Sequence, residues 1–170
     1  MGALPRHLSD ALLEGVQIGL RRGILLGSPL LGVNVRLVPT ATEWDATEST
    51  PAAFRAAACV AVQDALGKSD CALLEPIMLY TATLPPDRVG DVLSDLTSKR
   101  RAAVQSVETT EGFAGRSVVS VVAHTPLSAM SGYSTWLRMT VKGEGGFNLS
   151  FLNYGAVGAQ EEQRLLGTSR

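Results

Sequence analysis

LLEPIMLYTATLPPDRVGDVLSDLTSK, residues 73–99, decides the fold, because its hydrophobic period changes once along its length. Residues 73–84 carry apolar side chains on both faces and stop at Pro85-Pro86, which predicts a strand covered on two sides. From Asp87 the period lengthens. Val89, Val92, Leu93 and Leu96 recur at i, i+3, i+4 and i+7, which predicts a helix over 87–99. A strand feeding an amphipathic helix opens several motifs, so the segments that follow determine which one this is.

Downstream, AAVQSVETT (102–110) and RSVVSVVAH (116–124) alternate as strands and meet around Gly112 and Gly115, predicting a hairpin. PLSAMSGYSTWLR (126–138) then reads as one helix, with Thr125 as cap and Pro126 at its first position. On a helical wheel Leu127, Met130, Ser134, Leu137 and Val141 form its core face, while Ala129, Gly132 and Trp136 point outward. FNLSFLNY (147–154) alternates with Phe147, Leu149 and Phe151 inward. The order βαββαβ predicts a ferredoxin-like sandwich over 71–157: an antiparallel four-stranded sheet with two helices on one face. The tail AQEEQRLLGTSR (159–170) is expected to fray.

Upstream, residues 1–70 are expected to fold as a separate, incomplete unit. Leu8, Leu12, Val16 and Leu20 repeat every four residues, predicting a helix over 5–22 that Gly23 stops. VNVRLV (33–38) alternates and reads as a half-buried strand, and PTATEWDATEST (39–50) is a polar loop. Thr50 caps a second helix with Pro51 at its first position, ended by Gly67. The alanines 57, 58, 61 and 65 lie on its packing face, so a close neighbour is expected there. Two helices and one strand leave that strand without a ladder of its own, so either it joins the sheet of the second part or, the reading favoured here, its partners lie outside this chain. The fold class is therefore α+β, a ferredoxin-like domain preceded by an incomplete α/β half-domain, with residues 158–170 as a tail.

Composition restricts the function. With 45% hydrophobic and 18% charged residues the chain is globular in character, and its net charge of −1 calls for no polyanionic partner overall. No apolar run reaches the roughly 18 residues of a membrane span, so no membrane partner is expected. Cys59 and Cys71 have neither a CxxC spacing nor paired histidines and read as buried or incidental thiols. Asp10 and Glu14 argue against a targeting presequence around Arg6, Arg21 and Arg22.

Catalytic signatures are missing. There is no GxxxxGKS or GxxxxGKT phosphate-binding loop, no GxSxG and no HExxH, so no catalytic, metal or cofactor residues are assigned. KGEGGF (142–147) leads into a strand and so lacks the helix N-terminus that cradles phosphate. Asp87, Asp91 and Asp95, four apart, read as a solvated helix face. Lys99, Arg100 and Arg101 are cations at a helix C-terminus, where the dipole favours them, or else a phosphate-contacting corner.

At this point the residues match a family. LLEPIM (73–78), GDVLSDL (90–96) with Arg100-Arg101, and PL–M–GYST–LR (126–138) resemble, in order and spacing, the C-terminal domain of elongation factor G. The first helix, VNVRL and FRAAACVAVQDAL resemble the later half of the domain before it, of the ribosomal S5 domain 2-like type. The resemblance covers about residues 4–157. It implies that the chain is the end of a translational GTPase acting on ribosomal RNA and proteins of the factor-binding region. It further implies that upstream GTPase domains of a full-length parent hold GTP and magnesium, and that this chain performs no covalent chemistry itself.

LLGSP (25–29) and GYST (132–135) look closer to the mitochondrial paralogue that splits ribosomes with ribosome recycling factor. That likeness implies a mitochondrial matrix location. A translocase of the same family and a stand-alone ferredoxin-like interaction module are the alternatives. The loop PTATEWDATEST stands where translocases carry a tip loop, usually with a histidine; this copy has none, and Glu43, Trp44 and Asp45 lie near the place. The resemblance therefore nominates Glu43, Trp44, Asp45, Lys99, Arg100, Arg101, Gly132, Tyr133 and Trp136 as contacts to the ribosome or to neighbouring domains.

Overall fold

The computed structural model describes residues 4–38, 45, 47–111 and 116–168. Glu43 and Trp44, like Gly112 and Gly115, lie outside the described residues. The chain forms two compact units: residues 1–73 with 159–170, and residues 74–158. No helix is long and apolar enough to cross a membrane among the described residues.

In the larger unit, β1 (Leu74–Leu84), α3 (Val89–Ser98), β2 (Ala103–Glu111), β3 (Ser117–Pro126), α4 (Tyr133–Thr140) and β4 (Gly146–Ala156) follow one another. The sheet order is β2-β3-β1-β4 with every neighbouring pair antiparallel. This is the βαββαβ arrangement expected. Its core lies between one sheet face and the two helices: Tyr80, Ala82 and Leu84 of β1 and Val119, Val121 and Ala123 of β3 meet Val92, Leu96, Tyr133 and Leu137. Val89 and Leu93 pack at the margin of that cluster, in keeping with the helical period of the sequence.

Two details of the unit differ from expectation. Residues 126–138 are not one helix: Leu127–Met130 form a 3-10 turn, and α4 begins only at Tyr133, after Gly132. Gly132 has φ 70°, a left-handed conformation that costs an L-residue about 1–2 kcal/mol. The break shifts the helical phase. Met130, Leu137 and Val141 stay buried, Tyr133 enters the core, and Leu127 and Ser134 are exposed. Thr125 is the penultimate residue of β3 rather than a helix cap, its hydroxyl donating to the Arg100 carbonyl at 3.0 Å.

On β4, Phe147 and Leu149 pack inward as expected, but Phe151 is exposed. A bulge beside it pairs Met78 with Phe151 and Ile77 with Asn153. The extra residue puts Tyr154 on the same face as Phe151, and their rings meet edge to face at 5.2 Å.

The smaller unit contains α1 (Arg6–Leu20), α2 (Pro51–Gly67) and α5 (Ala159–Thr168). Thr50 caps α2 as expected, its hydroxyl oxygen accepting from the Ala53 N–H at 3.2 Å. The tail is helical rather than frayed, and Glu162 on α5 accepts from the Leu73 N–H at 3.2 Å. The contact between α1 and α2 is made by glycines. A Cβ on Gly15 would stand 2.2 Å from the Arg55 carbonyl oxygen, and one on Gly19 3.1 Å from Val62. Around them Leu8, Ala11, Ala58, Val62 and Leu66 are buried, and Arg55 pairs with Glu14 at 2.7 Å.

Residues 33–38 form no strand. Residues 33–37 join no ladder among the described residues, and Val33, Val35 and Leu37 are exposed. Ala57, Ala61 and Ala65, expected against a close neighbour, are exposed as well. With Leu12, Val16, Leu20, Val35, Leu37 and Phe54 they line an open apolar groove of about 850 Å³. The physical reason is shared: alternating apolar residues become a strand only when another strand takes up their N–H and C=O groups.

Candidate functional site

The nominated residues of the larger unit converge on the junction between α3 and the turn that leads into α4. The C-terminus of α3 closes with the Ala102 N–H donating to the Leu96 carbonyl at 2.9 Å, while Arg101 takes φ 52°, a position usually given to glycine. This tight closure turns Arg100 inward and lays Arg101 against Glu75. Arg100 Nε donates to Asp95 Oδ2 at 3.0 Å. Its Nη1 donates to the carbonyls of Ala129 at 2.9 Å and Ser131 at 2.8 Å, and its guanidinium stands 5.4 Å from the Tyr133 ring centroid. Arg101 grips Glu75 with two hydrogen bonds, of 2.9 and 3.1 Å, and Nη2 also donates to the Ser128 hydroxyl at 2.9 Å. Ser128 in turn donates to Glu75 Oε2 at 2.6 Å.

The cluster divides: Arg100 is turned into the domain with its side chain 15% exposed, while Arg101 stays 40% exposed beside Glu75. Through these bonds Arg100 and Arg101 tie α3, β1 and the 127–131 turn together. Lys99 is different: its ammonium is exposed and 3.5 Å from Asp95 Oδ1. Asp95, expected on a solvated face, has a side chain only 3% exposed. Asp87 and Asp91 are exposed as expected.

Tyr133, nominated as a contact, belongs to the core. Its hydroxyl bonds that of Tyr80 at 2.7 Å, and its ring lies 5.0 Å from Phe147 and 5.6 Å from Trp136. Burial pushes the Tyr80 phenol up to about 12, and burial pushes that of Tyr133 up as well, reinforced by the bond to Tyr80. Both folded values lie above the unfolded value of about 10. The phenols' contribution is thus whole below about pH 10 and is lost as pH rises through that value towards the folded ones. We expect alkaline unfolding of this unit to begin above about pH 10, with phenolate absorbance rising together with loss of structure. Tyr80→Phe should cost about 1–2 kcal/mol because it strands the Tyr133 hydroxyl, and adding Tyr133→Phe should recover part of that loss. Urea unfolding of the parent chain and the two variants measures both.

Gly132 is exposed, with nothing near the place a Cβ would take. Gly132→Ala should cost about 1–2 kcal/mol from the left-handed backbone alone, readable as a lower urea midpoint. Trp136, expected to point outward, is half-buried: it packs against the core and forms one wall of a groove with Asp91, Ser94, Asp95, Ser98, Lys99 and Thr140.

In the smaller unit, Asp45 organises its own turn. Its Oδ1 accepts from the hydroxyl and N–H of Thr47 and from the N–H of Glu48, and these bonds hold its carboxyl below the usual range. Among the described residues, no group of three or more His, Cys, Asp or Glu side chains is placed to hold a metal ion. Sequence reasoning missed Glu75 and Ser128, whose only signal was an acid facing an arginine pair across 26 residues.

The comparisons agree with this architecture. The family model for the elongation factor G C-terminus matches residues 72–165, and that for elongation factor G domain IV matches residues 1–70. Among curated relatives, elongation factor G of Aquifex pyrophilus is 35% identical over 98% of this chain and 23% of its own length. Elongation factor G 2 of Desulfotalea psychrophila is 38% identical over 96% of this chain and 22% of its own. A solved structure from Thermus thermophilus superposes with a TM-score of 0.83 at 30% identity, covering 98% of this chain and 24% of that one. The chain thus spans about a quarter of the length of the relatives it matches. On these grounds the chain belongs to the elongation factor G family, to which it corresponds in domain IV and the C-terminal domain.

Proposed function

We propose that this chain is the ribosome-engaging end of a translation factor, and that its parent acts in ribosome recycling with ribosome recycling factor. The work done here is mechanical. Arg100, Arg101, Glu75 and Asp95 lock the helix α3 end to the turn before α4, so force applied at that surface is carried into a close-packed core. GTP and magnesium would be held by other parts of the parent, since this sequence has no phosphate-binding loop.

The observation that carries the recycling reading is the loop at 39–50, which has Glu43, Asp45 and Glu48 and no Lys, Arg or His. An acidic tip is poorly matched to the phosphate backbone of a tRNA–mRNA duplex. The mitochondrial matrix location accompanies this reading through the likeness of LLGSP and GYST. A translocation role has its own support, because the relatives named above are bacterial elongation factors.

A chimera separates the two. The matching domains of the Aquifex pyrophilus factor are replaced by this chain, and translocation and subunit splitting are measured side by side. Splitting with recycling factor and loss of translocation are expected; efficient translocation without splitting would overturn the recycling reading. Failure of the chimera to sediment with ribosomes would overturn the ribosomal assignment itself.

The open apolar groove of the smaller unit fits the same view, as the surface on which preceding parts of the parent pack.

A further inference from the structure

The groove between α3 and α4 is rich in acceptors, with the Lys99 ammonium as the charged donor on its lining. Asp91, Ser94, Asp95 and Ser98 stand at i, i+3, i+4 and i+7 along α3, opposite Trp136 and Thr140 of α4, and enclose about 330 Å³. The hydroxyl hydrogens of Ser98 and Thr140 are spent within their own helices, on the carbonyls of Ser94 and Trp136. What remains for the groove from these two residues is lone pairs. Asp91 adds an exposed carboxylate. Asp95 adds a second: Arg100 occupies its Oδ2, but its buried Oδ1 receives no hydrogen bond. Lys99 approaches that oxygen at 3.5 Å, close enough for an ion pair, on a side chain 70% exposed and so free to move aside. A buried carboxylate oxygen without a donor is costly, and a ligand that supplies the donor recovers that cost.

We propose that this groove binds the guanidinium of an arginine side chain on a protein partner. A guanidinium carries five N–H donors and no acceptor, so it matches an acceptor-rich cleft, and its flat face stacks on an indole. Asp91 and Asp95 Oδ1 take its N–H groups, Trp136 takes its face, and Lys99 swings out. A phosphate, which brings only acceptors and negative charge, would find the Lys99 ammonium but would also face the Asp91 and Asp95 carboxylates. A nucleobase leaves its own acceptors unmatched. If the ribosomal reading above holds, the arginine belongs to a ribosomal protein, but the fit of the groove does not rest on that reading.

The test is a titration of the 170-residue chain with N-acetyl-arginine amide, followed by the Trp136 indole N–H and the amides of residues 91–99 in proton–nitrogen spectra. Saturable shifts with a Kd on the order of a few millimolar are expected, as befits one side chain. N-acetyl-lysine amide should bind about tenfold more weakly, because it has no fork or plane to stack. Asp91→Asn should weaken arginine binding several-fold while leaving the spectrum folded, and Lys99→Ala should tighten it by removing the competitor. Equal binding of the two amides would reduce the effect to general charge attraction and overturn the proposal. So would the absence of saturable shifts, or shifts produced by guanosine monophosphate or inorganic phosphate in place of arginine. Because the titration contains no ribosome, its failure is distinct from failure of the functional reading.

Discussion

Arg100→Ala is expected to destabilise the sheet-containing unit by about 3–5 kcal/mol. The side chain is only 15% exposed and faces Asp95, itself 3% exposed, so truncation leaves a carboxylate with little access to water. It also removes the donors that hold the Ala129 and Ser131 carbonyls, and with them the turn that sets Gly132 and the start of α4. For a unit of this size the loss corresponds to a fall in Tm of at least about 12 °C. The partner substitution separates charge from geometry. Asp95→Leu combined with Arg100→Met should be far less harmful than Arg100→Ala alone, because no charge is then stranded. Calorimetry of the single and double variants decides the matter: a loss below about 1 kcal/mol for Arg100→Ala would place the pair with ordinary surface ion pairs.

Gly15→Ala is the second large effect, and it acts against intuition. In an exposed helix this change stabilises by about 1 kcal/mol through helix propensity. Here the new Cβ would sit 2.2 Å from the Arg55 carbonyl oxygen, a backbone atom that no rotamer change can move. The helices must separate, Leu8, Ala58 and Val62 lose their packing, and the net cost is expected to be about 3 kcal/mol. Gly19→Ala provides the graded control. Its closest neighbours are Val62 side-chain atoms at 3.1 Å, so a small adjustment should suffice and the cost should stay near about 1 kcal/mol. Amide hydrogen exchange in α1 and α2 measures both variants. Slower exchange in Gly15→Ala than in the parent chain would show that the two helices do not approach as closely as described.

The larger unit was legible because it is self-sufficient. Val89, Val92, Leu93 and Leu96 find their sheet within residues 74–158, so the period read along the chain and the burial seen in space coincide. The stretch 33–38 shows the converse. Its alternation is as clear as that of β3, yet residues 33–37 enter no sheet ladder among the described residues, because a strand is a pairwise structure. The candidate site was half legible. A run of Lys99, Arg100 and Arg101 announces positive charge, but the partners that consume it, Glu75, Asp95 and Ser128, lie on three different segments and carry no shared motif.

The stretch 126–138 marks the boundary between the two kinds of knowledge. Residue order alone determined that apolar side chains recur there at helical spacing, and that the surrounding pattern is βαββαβ. Only the tertiary structure decided that the helix starts after a left-handed Gly132, that Tyr133 turns inward to meet Tyr80, and that Trp136 walls a groove facing Asp95. The physical reason is that periodicity encodes which faces can be apolar, a local property. Which buried hydroxyl, carboxylate or guanidinium meets which is settled by groups brought together from distant parts of the chain, where each must find its hydrogen-bonding partner or bear the cost of burial.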